Sequence, residues 1–137
     1  MDIVRIAIKS CSGYGPYDLA YDDKVTITRD SIQYLYKPLC NSEEHQPRKW
    51  SYRTNRPDFR IIWDELCSLI PVVLEQPEEM LLDGVEVTFM VTYEDKSKIV
   101  KTFGSPYGEP FTSCCQLIKM MIPEGELVPE ALWTEDE

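Results

Sequence analysis

The clearest alternation in the chain lies at residues 85–93, VEVTFMVTY. Val85, Val87, Phe89, Val91 and Tyr93 fall on one side, and Glu86, Thr88 and Thr92 on the other. Side chains alternate across a strand with a period of two, so this pattern predicts a strand with one buried face. EDKS predicts a turn after it, and KIVKTF runs back with Ile99 and Phe103 sharing a face. Shorter runs rich in β-branched and aromatic residues predict strands at 3–9 (IVRIAIK), 24–29 (KVTITR), 31–37 (SIQYLYK) and 49–54 (KWSYRT).

Two segments carry the helical period instead. After Pro57, the residues Phe59, Ile62, Trp63, Leu66, Leu69 and Ile70 recur at i, i+3 and i+4, as do Phe111, Cys114, Cys115, Ile118, Met121 and Ile122 after Pro110. Each leading proline suits a first helical turn, where its missing N–H is not needed. Pro71 and Pro123 mark the far ends, with VVLEQ as a continuation beyond Pro71 through a kink.

The two helical segments match each other. FRIIWDELCSLIP and FTSCCQLIKMMIP place a phenylalanine, core residues, an apolar pair and a proline at the same offsets, and YDDK at 21–24 is echoed by YEDK at 93–96. This suggests an internal pseudo-repeat of strand, acidic turn, strand and helix, with an extra hairpin in the first copy; convergence of two amphipathic patterns is the alternative. Either way the expected fold class is α+β, an antiparallel β-sheet with two helices packed on one face. The expected organisation is one domain over 1–137, with a first half at 1–76, a second half at 77–123 and an acidic tail at 124–137.

Composition narrows the classes. At 137 residues, 43% hydrophobic and 28% charged, the chain has the make-up of a globular domain with a real core. No apolar run reaches membrane-spanning length, and MDIVRIAIKS lacks the basic and apolar regions of a secretory signal. Five cysteines without a regular spacing read as reduced thiols, so the expected location is cytoplasmic. Residues 1–74 carry ten acids and ten bases, whereas residues 75–137 carry fourteen acids and four bases, so the whole net charge of −10 sits in the second half. Such a surface repels nucleic acid and attracts cationic partners.

The glycines of SCSGYGPYDLAYDD, residues 10–23, raise the possibility of a phosphate loop, but no helix follows them and Asp18, Asp22 and Asp23 oppose an anion. The segment reads as a loop, with Tyr14 and Tyr17 as candidate ligand-packing aromatics or, more simply, as caps on a sheet edge. Cys114 and Cys115 fall on a helical apolar stripe and read as core thiols. Cys40 and His45, with Glu43 and Glu44 between them, lack the second ligand pair of a zinc site, so no metal and no cofactor is expected. His45 is the one histidine, so Cys–His or Ser–His catalysis would rest entirely on it, and its polar loop is a poor platform for precise geometry.

The most distinctive segment is RKWSYRTNRPDFR, residues 48–60. Arg48, Lys49, Arg53, Arg56 and Arg60 stand there against Asp58, and strand alternation puts Trp50 and Tyr52 on one face with Lys49, Ser51 and Arg53 on the other. Arginine grips carboxylate or phosphate at two points and stacks on rings, so the strip is a candidate binding patch. Pairing with the acidic second half, within one molecule or across a homodimer, is its other reading. The combined expectation is a non-enzymatic cytoplasmic interaction or regulatory module whose acidic half engages a basic protein partner or a second copy of itself. The alternative is a small-ligand or anion-binding domain using Tyr14, Tyr17 and the 50–53 strand. Neither nucleic acid nor membrane is expected as a partner.

Overall fold

A computed structural model describes residues 2–11, 21–38, 47–78, 86–104 and 108–125. In chain order they form β1 (Ile3–Cys11), β2 (Tyr21–Thr28), β3 (Ser31–Pro38), β4 (Arg48–Arg53), α1 (Pro57–Leu74), β5 (Glu86–Tyr93), β6 (Lys98–Gly104) and α2 (Phe111–Met121). The strands make one six-stranded sheet in the order β4-β3-β2-β1-β5-β6, and every neighbouring pair is antiparallel. Strand β1 is the seam between the two halves of the sequence, pairing with β2 on one side and β5 on the other.

Register turns the period-two patterns into continuous rows. Ile8 sits opposite Val25 and Phe89, Val25 opposite Tyr34, and Tyr34 opposite Trp50. The row beside it runs Tyr52, Ile32, Ile27, Ile6, Val91. These residues share one face of the sheet, and both helices cover it, giving the two-layer α+β arrangement. Phe59, Trp63, Leu66, Ile70 and Val73 are the buried stripe of α1, and Phe111, Thr112, Cys114, Cys115, Ile118 and Met121 that of α2. Burying each large apolar side chain contributes about 1.5–3 kcal/mol, which is what holds two layers together. Val85, expected to open the fifth strand, lies outside the described residues.

The helices are fastened alike at their first turns. Phe59 meets Tyr52 of edge strand β4 edge-to-face at 6.4 Å, and Phe111 meets Phe103 of edge strand β6 in the same way at 5.0 Å. The echoed tetrapeptides, however, occupy different structures: YEDK leaves β5 into the turn before β6, whereas YDDK is the start of β2 itself. The acidic turn anticipated in the first copy is therefore a strand, because its Asp23 is accommodated inside the fold, as described below. The helices also differ, at 18 and 11 residues. A shared anchoring of each helix is what the resemblance amounts to, and the duplication stays unconfirmed.

Helix α1 runs through Pro71 to Leu74. An interior proline costs a helix about 3 kcal/mol, but Val73 is fully buried beyond it and the Glu75 amide still donates to the Pro71 carbonyl at 3.1 Å. Pro57 occupies the first turn as its sequence suggests, whereas Pro110 stands just outside α2 as its N-cap. There the Thr112 amide donates back to the carbonyl of Gly108, whose φ of +72° suits glycine. No helix among the described residues is long and apolar enough to cross a membrane.

Candidate functional site: the open face of the sheet

Alternation sends every second residue of each strand away from the helices. On that open face lie Arg5 and Lys9 of β1, Lys24 of β2, Lys37 of β3, Lys49 and Arg53 of β4, and Lys98 of β6. Their acidic companions are Asp22 and Glu86, both next to Cys11 at one end of the face. One transverse row reads Lys49, Leu35, Lys24, Lys9, Thr88, Thr102. In a protein of net charge −10, the face of the sheet that no described helix covers thus gathers cations.

These cations form no ion pair with another described residue. Among the described residues the one salt bridge is Arg56 to Asp58, at 3.0 Å and well exposed. The basic strip 48–60 therefore does not pair with second-half acids among the described residues. It is also divided by the fold: Lys49, Ser51 and Arg53 face the open side, Trp50 and Tyr52 the helix side, and Arg56 the start of α1. Trp50 is half-buried against Tyr34 at a ring distance of 5.8 Å, and Tyr52 against Phe59, so both aromatics serve the core edge. Arg48 continues β4 on the helix side, opposite Tyr36, with its own side chain exposed.

The described second-half acids do not gather in the same way. Glu94 and Asp95 occupy the turn after β5, while Glu78, Glu86 and Glu109 lie towards the opposite end of the sheet. Asp95 is held below the usual carboxylate range by hydrogen bonds from the side chain and backbone of Ser97. The Glu78 carboxylate accepts from the Thr102 amide at 3.2 Å, closing part of the outer edge of β6.

Two depressions flank β4. On the open side a shallow hollow of about 560 Å³ is bordered by Lys24, Thr26, Gln33, Leu35, Lys49 and Ser51, with Tyr34 and Trp50, whose places in the strands alternate to the helix side, also in its lining. On the helix side a groove of about 240 Å³ lies between Tyr52 and Arg56, the first turns of α1 at Phe59 and Ile62, and Met120 to Glu124 at and just beyond the end of α2. The first sets Lys24 and Lys49 around a largely apolar floor, and the second sets the Arg56–Asp58 pair against the side chains of Phe59, Ile62 and Met121. Tyr14 and Tyr17, the other half of the anticipated ligand site, lie outside the described residues, as do Cys40 and His45. Among the described residues no cluster of three metal-ligating side chains occurs.

Sequence reasoning missed one polar centre. Asp23 is 3% exposed on the helix side of β2, where it accepts hydrogen bonds from the hydroxyl of Ser10 and from that of Tyr34, the latter at 2.8 Å. Extending the alternation of Val25 and Ile27 back by two residues puts Asp23 in phase with the core, and that was its signal. Ser10 is fully buried, so this arrangement pins β1, β2 and β3 together and presents no accessible nucleophile.

Cys11, Cys67 and Cys114 are free thiols, and Cys115 is buried beside Cys114. Burial, with Cys115 and Glu109 nearby, pushes Cys114 up to about 12. Burial with the neighbouring Asp64 carries Cys67 to about 11, and burial with the Asp22 carboxylate does the same for Cys11. No protein-family model matches the chain, and no curated protein matches it either.

Proposed function

We propose that this protein is a non-enzymatic interaction module that binds an acidic protein segment through the open, cationic face of its sheet. The observation that carries this reading is the gathering of Lys9, Lys24, Lys49 and Arg53 on an uncovered surface of an otherwise acidic molecule. Clustered like charge raises the local concentration of an oppositely charged partner and speeds its encounter. An acidic peptide is favoured over nucleic acid by the placement of the aromatics. Sheet platforms that bind single strands stack bases on exposed rings, whereas Trp50, Tyr52 and Tyr34 lie on the covered side here. A reducing, cytoplasmic setting suits the free thiols of Cys11, Cys67 and Cys114.

The test uses labelled polyglutamate, polylysine and a mixed-sequence single-stranded oligonucleotide, followed by fluorescence anisotropy at low and high salt. Polyglutamate should bind with a strong salt dependence, and Lys9→Ala with Lys24→Ala should weaken it several-fold while thermal unfolding holds or rises slightly. Binding of polylysine in preference would return the function to the acidic half and a basic partner. Preference for the oligonucleotide would make the open face a nucleic-acid surface.

A further inference from the structure

The geometry points to a mode of binding that rests on the function proposed above: we propose that the acidic segment docks as an added strand along the outer edge of β4. The Thr54 amide donates to the Asp30 carbonyl at 2.9 Å, and residue 30 is opposite residue 54 in the continued β3–β4 register. In an antiparallel ladder the residues that exchange such bonds alternate along the strand. Tyr52, Trp50 and Arg48 therefore turn their backbone groups towards β3, and Lys49, Ser51 and Arg53 turn theirs outward. No hydrogen bond joins these three outward amides to another described residue. The opposite edge of the sheet differs, because Glu78 occupies the outward Thr102 amide there.

Charge selects the occupant. Two copies pairing β4 to β4 about Ser51 would set Lys49 against Arg53 twice over, and like charges directly opposite one another destabilise a sheet. An acidic strand meets the same cations favourably. The two hollows then read alternate side chains of that strand. Those on the open side face Lys49 and Arg53 of the adjacent strand, at the rim of the first hollow, and those on the helix side enter the groove beside Tyr52, Phe59, Ile62 and Met120. The segment that fits is extended, with acidic residues alternating with apolar ones.

A short end-blocked peptide alternating glutamate and valine is the probe, with isothermal calorimetry for affinity and amide exchange by NMR for position. Saturation should slow exchange at Lys49, Ser51 and Arg53 and leave Tyr52 and Trp50, already bonded within the sheet, unchanged. Ser51→Pro removes an outward N–H that β3 does not use, a place where an edge strand tolerates proline, and should cost at least about tenfold in affinity. Methylating alternate amides of the peptide, in one of the two phases, should do the same to the unaltered protein, so the proposal does not depend on that variant folding. If Ser51→Pro folds and binds like the parent and neither methylated peptide weakens, while Lys9→Ala with Lys24→Ala still abolishes binding, strand addition is overturned and the open-face reading stands. If the peptide binds with no dependence on either set of changes, both are overturned.

Discussion

The two faces of the sheet are built from the same strands and differ only in which residues alternation assigns to them. The covered face is apolar except for the Asp23 centre at one end and for Arg48 and Lys101 on its two edge strands, and is fixed by two helices. The open face holds lysine, arginine and threonine around Ala7, Leu35 and Met90. On the covered side each apolar side chain has a packing reason to be there. On the open side several have an electrostatic reason not to be, since cations there face cations. That asymmetry separates what makes the protein fold from what is left for it to do, and changes on either side should break or sharpen it.

The largest effect is expected on the covered side. Leu66 is fully buried on α1, and Leu66→Ala should lower unfolding free energy by about 2–5 kcal/mol through lost burial and a residual cavity. Urea denaturation measures this. A loss under half a kilocalorie per mole would mean that α1 does not seal this face of the sheet.

Next comes the polar centre. Asp23→Ala leaves the buried Ser10 and Tyr34 hydroxyls without the carboxylate that accepts from them, and an unsatisfied buried group costs about 1–3 kcal/mol. Asp23→Asn keeps one acceptor oxygen and should cost less. Denaturation of both variants side by side gives the ranking; equal losses would show that shape, not hydrogen bonding, is what the site requires.

Thiol chemistry compares the faces at smaller scale. Cys114 on the covered side is pushed up to about 12 and Cys11 on the open side to about 11, both from 9.0. Because the folded values are raised, this stabilisation is complete below pH 9 and is lost as pH climbs from there through 11 to 12. Stability should therefore decline on the alkaline side, and Cys114→Ala should flatten part of that decline. In native protein at neutral pH a thiol reagent, followed by peptide mapping, should modify Cys11 before Cys114. The reverse order would place Cys114 at an accessible surface.

Much of this architecture was legible in the chain. Val87, Phe89 and Val91 announce their strand because one face is apolar and the other is not, and the stripe from Phe59 to Ile70 announces its helix through the same contrast at another period. Where a local rule met a tertiary one, the chain alone did not decide: Pro71 left both an end to α1 and a continuation through it open, and α1 continues because Val73 has a core to enter. YDDK suggested a turn, but Asp23 had two buried hydroxyls to meet. The binding surface was legible in part. Lys49, Ser51 and Arg53 were assigned a common face from β4 alone, yet their meeting with Lys24 and Lys9 depends on register between strands distant in sequence. Local patterning carries no information about that.

The smallest effect is the one that speaks most directly to the open face. Lys9 and Lys24 are cross-strand partners, and the bonding alternation makes them a pair without mutual backbone hydrogen bonds, the closer of the two spacings. Like charges so placed oppose folding, and an opposite-charge pair there contributes about 0.2–1 kcal/mol relative to a neutral one. Lys24→Glu should therefore stabilise the protein slightly, an unusual outcome for a substitution chosen without reference to packing. Added salt should shrink the gain, since exposed charges are screened over about 8 Å at physiological ionic strength. The same substitution should weaken capture of polyglutamate. Gain in stability with loss of binding is the signature of residues retained for function at some cost to the fold. If Lys24→Glu instead destabilises the protein and leaves polyglutamate binding intact, the lysine row is a structural feature of the sheet, and the contrast between its two faces has no functional content.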